Sequence, residues 1–216
     1  MSVDESMEII IESLKYAISD PMKLLIYLVV SILSVFILPI FLVAGYDVRI
    51  IEGTIKSSDA LPEFNSWGSM FVDGIKYIMA HVVYLIIPII ITLIGMGLYN
   101  VNSFLTILLG VIALIVGFVL LLISGPAIVR MVHHDKNFGS IFDFEQILSM
   151  ISNVGWVNYI LFMIIFQLIF VILITISDSL MNISTIFGVL SLIIAGIQAL
   201  AYSRALTLLF KNYLTF

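Results

Sequence analysis

Apolar runs of bilayer-crossing length recur along this chain, and they constrain its fold more than any other feature. From Phe104 to Val129 there is no charged side chain at all. A helix needs ~20 such residues to cross the hydrocarbon core of a bilayer. Inside lipid the backbone must satisfy its own hydrogen bonds, so runs of this kind are helices. Of the 216 residues, 62% are hydrophobic and 11% are charged, against about 25% charged in a soluble domain. The expected fold class is all-α. It is an integral membrane helical bundle of about five transmembrane spans plus three interfacial amphipathic helices, in a single transmembrane domain covering residues 1–216. The expected localisation is the cell membrane, as a multi-pass protein.

The N-terminal residues 3–18 have helical periodicity. Met7, Ile10, Ile11, Leu14 and Ile18 lie on one side, and Glu5, Glu8, Glu12 and Lys15 on the other. This is the pattern of an interfacial helix. Asp20-Pro21 ends it, because the residue before a proline avoids the helical region. Five acidic residues among the first twenty argue against a cleavable signal peptide. Span 1 is expected at 22–46, with Pro39 inside it. Its helix either crosses fully and continues toward Lys56 or turns back as a re-entrant hairpin.

The polar stretch from Gly45 to Lys76 contains a second surface helix at 64–76, with Phe64, Trp67, Met70, Phe71 and Ile75 as its stripe. Span 2 follows at 77–98 and span 3 at 104–129, where Gly110, Ala113 and Gly117 make a small-residue seam. A third interfacial helix is expected at 140–153, opened by Ser140 and Asp143 in the manner of a capping box. Span 4 is expected at 155–176 and span 5 at 185–209, with Ser191, Ala195 and Ala199 as a second seam. Phe64–Arg130 and Phe142–Arg204 share one plan: surface helix, span, short joint, span, arginine. A parallel internal repeat would produce that plan.

Lysine and arginine set the orientation. With five spans, Arg49, Lys56, Lys76, Arg130, Lys136, Arg204 and Lys211 share one face, and Lys15 and Lys23 the other. The positive-inside rule puts the first group in the cytoplasm. With a re-entrant first segment, the N-terminal tail joins it there.

Arg49, Arg130 and Arg204 end helices on that face. Guanidinium pairs with phosphate, so they are candidates for lipid or anion contact, beside ordinary anchoring. His81, Gln167 and Gln198 are buried polar candidates, lining a path or bonding helix to helix. No acidic residue falls at mid-depth of a span, which argues against a proton-coupled pump. His133, His134 and Asp135 lack a further ligand at metal-site spacing, so no metal is expected. The absence of cysteine excludes disulfides and thiol catalysis. Asn182-Ile183-Ser184 is a formal glycosylation sequon close to the membrane. No catalytic motif is present, so the protein is expected not to be an enzyme and to need no cofactor. A net charge of -5 makes nucleic acid an unsuitable partner.

The run Gly45-Tyr46-x2-Arg49, then Leu61-Pro62-x-Phe64-x2-Trp67-x3-Phe71-x-Asp73-Gly74, resembles the signature of an archaeal and bacterial membrane family, domain of unknown function 4013. Ser13-Leu14-Lys15-Tyr16, with Asp20 and Lys23-Leu24-Leu25, is similar to that family's opening. The resemblance implies an uncharacterised multi-pass protein and brings no activity or cofactor. It marks Gly45, Tyr46, Arg49, Leu61, Pro62, Phe64, Trp67, Asp73 and Gly74 as structural residues. The leading functional expectation is a non-enzymatic membrane component. It would bind membrane lipid headgroups, a membrane-protein partner or a second copy through its cytoplasmic surface helices. The alternative is a small transporter or channel with a polar path near His81, Gln167 and Gln198.

Overall fold

A computed structural model describes residues 3–180, 184 and 186–214, and the description is confined to them. Among these residues the fold is all-helical. The helices are α1 (Val3–Ala17), α2 (Pro21–Leu33), α3 (Leu38–Ile55), α4 (Trp67–Gly97), α5 (Ser103–His133), α6 (Phe144–Val154), α7 (Trp156–Leu180) and α8 (Ile186–Phe210). Four of the long apolar helices can cross a membrane, and a fifth crossing arises only if a bent pair counts as one. These helices make the chain a multi-pass membrane protein. Asn182 and Ile183 of the sequon and Thr185 at the start of expected span 5 lie outside the described residues.

The first span departs from expectation. Residues 22–46 do not form one helix. α2 stops at Leu33, a single 3-10 turn covers Ser34–Phe36, and Ile37 has a φ of 64° before α3 begins. The cause is Pro39. It has no N–H to donate to the Val35 carbonyl four residues back, and its ring clashes with that carbonyl, yet its fixed φ suits the first turn of a new helix. The chain then folds back. Tyr27 of α2 lies 5.6 Å from Tyr46 of α3, ring to ring. In an unbroken helix these residues would be about 28 Å apart.

α1 runs at 85° to α2, with the Asp20 carboxylate capping the new helix by accepting from the amides of Met22 and Lys23. Its docked face overlaps the apolar stripe read from the sequence only in part. Ser6, Ile10, Ser13, Tyr16 and Ala17 are buried and Leu14 packs on the core, while Met7, Ile11 and Ile18 stay exposed. Ser6, Ser13 and Ala17 add small residues to the face where α1 packs on α8.

The expected surface helix 64–76 and span 2 are one continuous helix, α4, of 31 residues. Nothing at Lys76-Tyr77 interrupts it. At the corresponding place in the second half, Gly155 adopts a φ of 91° and separates α6 from α7. The two halves therefore share a plan but differ at this joint. The capping box at Ser140 is also absent. Asp143 sits at the N-terminus of α6 without capping it, because its carboxylate is drawn to Arg130.

α4 and α5 form one antiparallel pair, joined through Thr106, which donates to the Gly95 carbonyl at 3.0 Å. α7 and α8 form the other. The small-residue seam of α5 is only partly used: Gly117 approaches Pro88, while Gly110 faces open space. The tightest contact in the molecule is elsewhere, between α3 and α4. A Cβ placed on Gly45 would sit 1.8 Å from the carbonyl oxygen of Met70, and one on Gly74 would sit 1.7 Å from that of Phe41. Two backbones touch here, and only hydrogen fits between them.

Gly45→Ala and Gly74→Ala are each expected to cost about 3 kcal/mol or more, since overpacking against backbone has no rotamer escape. Gly110→Ala, facing open space, is the matched control and is expected to be neutral. Thermal unfolding of the three variants in detergent checks this.

Candidate functional site

The charged residues gather at one end of the bundle. All nine lysines and arginines are there: Lys15 on α1, Lys23 at the start of α2, Arg49 and Lys56 toward and at the end of α3, Lys76 in the first part of α4, Arg130 near the end of α5, Lys136 in the loop after it, and Arg204 and Lys211 at the end of α8 and just beyond. Of the fourteen acidic residues only Asp178, near the end of α7, lies at the opposite end. Direct contacts tie this end together. Tyr16 of α1 donates to Ala60 of the α3–α4 loop. Lys23 at the start of α2 donates to the Leu61 carbonyl at 2.8 Å and pairs with Glu63.

The three arginines singled out in the sequence all lie here; Arg49 and Arg204 hold the α3–α4 loop and Arg130 the α5–α6 loop. Arg49 donates to the carbonyls of Glu63 and Ser66 and to the side chains of Asn65 and Ser69. Arg130, 5% exposed, pairs with Asp143. Arg204, 3% exposed, bonds Glu12, Asp59, Thr54 and the Ser58 carbonyl, with its guanidinium 4.5 Å above the Tyr16 ring. Its terminal nitrogens meet protein acceptors, while its buried Nε has none among the described residues.

The signature residues condense around the same loop. Tyr46 donates to the Pro62 carbonyl at 3.0 Å and stacks on Phe64 with centroids 4.1 Å apart. Trp67 packs beside Phe64. Leu61 is buried. Asp73 accepts from Lys136, which also pairs with Glu52. Burial of Glu52 opposes its ionisation, but hydrogen bonds from Lys136 and Lys56 outweigh that and hold its carboxyl below the usual range. Lys136 is likewise partly buried, yet its two carboxylate partners hold it above the usual lysine range.

Between the two helix pairs lies a cleft of about 340 Å³. Its walls are Phe118, Leu121, Met163 and Phe166, and its polar groups are His81, Ser124, Gln167 and Tyr202. None of the three expected buried polar residues is fully buried: His81 and Gln198 are half-buried and Gln167 is exposed, because the helix pairs part here; His81 and Gln167 share one space. Gln198 reaches it indirectly, donating to Gln167 at 3.0 Å. His81 Nδ1 bonds the Tyr77 carbonyl one turn back.

Below the cleft a narrow gap passes between Tyr77, His81, Tyr202 and Ser203. Close by is a residue the sequence reading missed. Asp47 is 8% exposed, with the Tyr27 hydroxyl at 3.5 Å and a hydrogen bond to Ser203. It lies in none of the four candidate spans, so the expectation of no acidic residue at mid-depth of a span does not cover it, yet it is buried among helices. Placing the span's end at Tyr46 left Asp47 outside. Carrying α3 through to Ile55 leaves it flanked by Tyr46, Val48, Ile50 and Ile51, all buried, and that acid among apolar neighbours is the signal that would have found it. Among the described residues no group of metal-binding side chains occurs.

The family model for proteins of unknown function, DUF4013, matches residues 28–182. The segment Ser13–Leu25 precedes that match. An uncharacterized protein of Methanocaldococcus jannaschii, MJ1189, is 27% identical over 143 residues, covering 62% of this chain and 47% of the relative. The chain therefore spans about half the length of that curated relative. No solved structure matches.

Removing both carboxylates from Arg204, in Glu12→Gln/Asp59→Asn, leaves a buried guanidinium without a counter-charge and is expected to cost about 3 kcal/mol. Asp59→Asn alone removes an exposed partner and is expected to cost about 1 kcal/mol or less. Denaturant unfolding in detergent separates the two. Because the Glu52 carboxyl is held below its usual value, its contribution is present above about pH 4.3 and lost as pH falls further. Glu52→Gln should flatten that part of the stability–pH profile.

Proposed function

The chain belongs to the DUF4013 family, and for this member we propose a transport role within the bilayer. It receives a small, mostly apolar molecule bearing hydrogen-bonding groups in the cleft between α4–α5 and α7–α8. The cleft carries the reading: it is apolar-walled, with a few convergent polar groups, as small-molecule sites are. Its openings lie between helix pairs, so a ligand enters from lipid. His81 and Gln167 orient it, Gln198 fixes the Gln167 amide, and Ser124 and Tyr202 offer hydroxyls. The arginines of the charged end favour this reading over headgroup binding, because the guanidinium ends of Arg49, Arg130 and Arg204 already meet protein carbonyls and carboxylates, and the unpartnered Arg204 Nε is buried away from any headgroup.

In this reading the charged end is cytoplasmic, since it holds every lysine and arginine. α2 and α3 enter and leave on that side as a re-entrant hairpin. Residues in hydrogen-bond contact, such as Lys23 and Leu61, have no ~30 Å hydrocarbon layer between them. Non-spanning hairpins of this kind are tolerated where protein surrounds them.

Two measurements test these statements. In the naturally cysteine-free chain, Glu8→Cys, Lys56→Cys and Glu145→Cys should all label from the cytoplasmic side of sealed vesicles, and Val101→Cys from the other. Labelling of Glu8→Cys with Val101→Cys would refute the re-entrant arrangement. For the cleft, a diazirine-bearing medium-chain alcohol in proteoliposomes should label Phe118, Met163 and Phe166 preferentially. His81→Leu/Gln167→Leu should reduce that labelling severalfold. Uniform labelling of the whole lipid-facing surface, unchanged in the double variant, would refute the cleft.

A further inference from the structure

Asp47 is part of neither the arginine clasps nor the cleft wall, and its surroundings are unusual for a carboxyl group. It belongs to α3, the second arm of the hairpin, and is buried where that arm meets α2 and α8. Among the described residues no cation lies within 4 Å of it. The groups facing it are hydroxyls: Tyr27 from α2, Ser203 from α8, and Tyr77 from α4, with Tyr46 beside it in the chain.

The bases of the neighbouring elements are engaged elsewhere. Lys23 of α2 is held by Glu63, Arg49 of α3 by the loop, and Arg204 of α8 by Glu12 and Asp59. Lys136 is shared by Glu52 and Asp73. His81 of α4 is bonded to its own helix. An ionised carboxylate in this setting has no partner to offset the loss of water, whereas the neutral acid has hydroxyl partners.

The arm that carries Asp47 is pinned to α4 at Phe41 and Gly45, but the apex that joins it to α2 is exposed. That apex is a β-branched residue in left-handed conformation, Ile37, and Val35 beside it is 85% exposed. A groove of about 200 Å³ remains between α2 and α8, lined by Leu28, Ser31, Ile32 and Gly196 among others. The hairpin meets α8 along α3 and through Leu28 of α2 against Gly196, and Ser203–Asp47 is a polar contact of that seam.

We propose that Asp47 is a proton-binding site that holds the hairpin against α8 when protonated and releases it when ionised. On release, the Asp47 O–H bond breaks, the proton passes to water at the charged end, and the electron pair stays on the carboxylate, which must then reach water itself. The hairpin moves because it carries that charge. Loading and unloading of one proton would give the transport reading its driving ion. The inference deepens that reading, but its test uses no cleft ligand, so either can fail alone.

The test uses spin labels on Val35→Cys of the hairpin and Val189→Cys of α8, both exposed, in the cysteine-free chain reconstituted in nanodiscs. At acid pH a single hairpin-to-α8 distance is expected. As pH rises a second distance should grow in, the ratio changing by up to about tenfold per pH unit, the limit for one proton. Asp47→Asn, a neutral mimic, should keep the first distance throughout. If that variant does not fold, Asp47→Glu should retain the transition at a shifted pH. Infrared difference spectra should lose one carboxylic-acid carbonyl band on Asp47→Asn at the acid end of the range. A distance distribution independent of pH, a transition that survives in Asp47→Asn, or the absence of that band would each overturn the proposal.

Discussion

The close crossing of α3 over α4 is the contact on which the charged end depends. Gly45 and Gly74 let the two backbones meet without a side chain between them. That approach fixes where Tyr46 and Arg49 point, one and four residues on from Gly45. Tyr46 then reaches Pro62 and Phe64, and Arg49 reaches Glu63 through Ser69. Separate the helices by the width of a methyl group and those bonds lengthen together. A loop with few apolar residues of its own is thereby held at the surface by its neighbours.

The same loop is gripped from the far end of the chain. Arg204 near the end of α8 binds Ser58 and Asp59 of the loop and Glu12 of α1. Three segments distant in sequence are joined by one guanidinium, whose planar fork suits several acceptors at once. Its own burial would be costly without them. The carboxylates stay in contact with water, so the pairing keeps half its hydration. Arg130 and Asp143 repeat the arrangement for the loop between α5 and α6. The charged end is therefore a set of internal ties more than a field of free cations.

Away from that end the molecule is apolar and loosely joined. The two helix pairs diverge enough to leave a cleft, and the hairpin leaves a groove beside α8. Lipid is as apolar as the helix surfaces, so no hydrophobic force closes such gaps, and packing alone decides where they remain. Polar groups on their borders are then conspicuous. His81 and Gln167 sit where the two helix pairs leave room, which is where binding has the least to disrupt.

By itself the sequence determined that the chain is helical and membrane-embedded, that Gly155 or a nearby residue ends a surface helix, and that the arginines gather at one face. Composition and charge placement act locally, helix by helix, and need no partner to be read. It also placed the signature from Gly45 to Gly74, without the reason for it. The tertiary structure decided the rest. Whether Pro39 kinks a span or starts a returning helix depends on what lies beside it, and only the contacts of Tyr27 with Tyr46 and of Lys23 with the loop resolve that. Which face of α1 is buried depends on the position of α8, so Ser6, Ser13 and Ala17 share the docked face with Ile10 and Tyr16, and Met7, Ile11 and Ile18 are left outside it. Asp47 looked like the end of a span because an acid is polar wherever it stands. Its burial follows from three other helices closing around it, which no local pattern records.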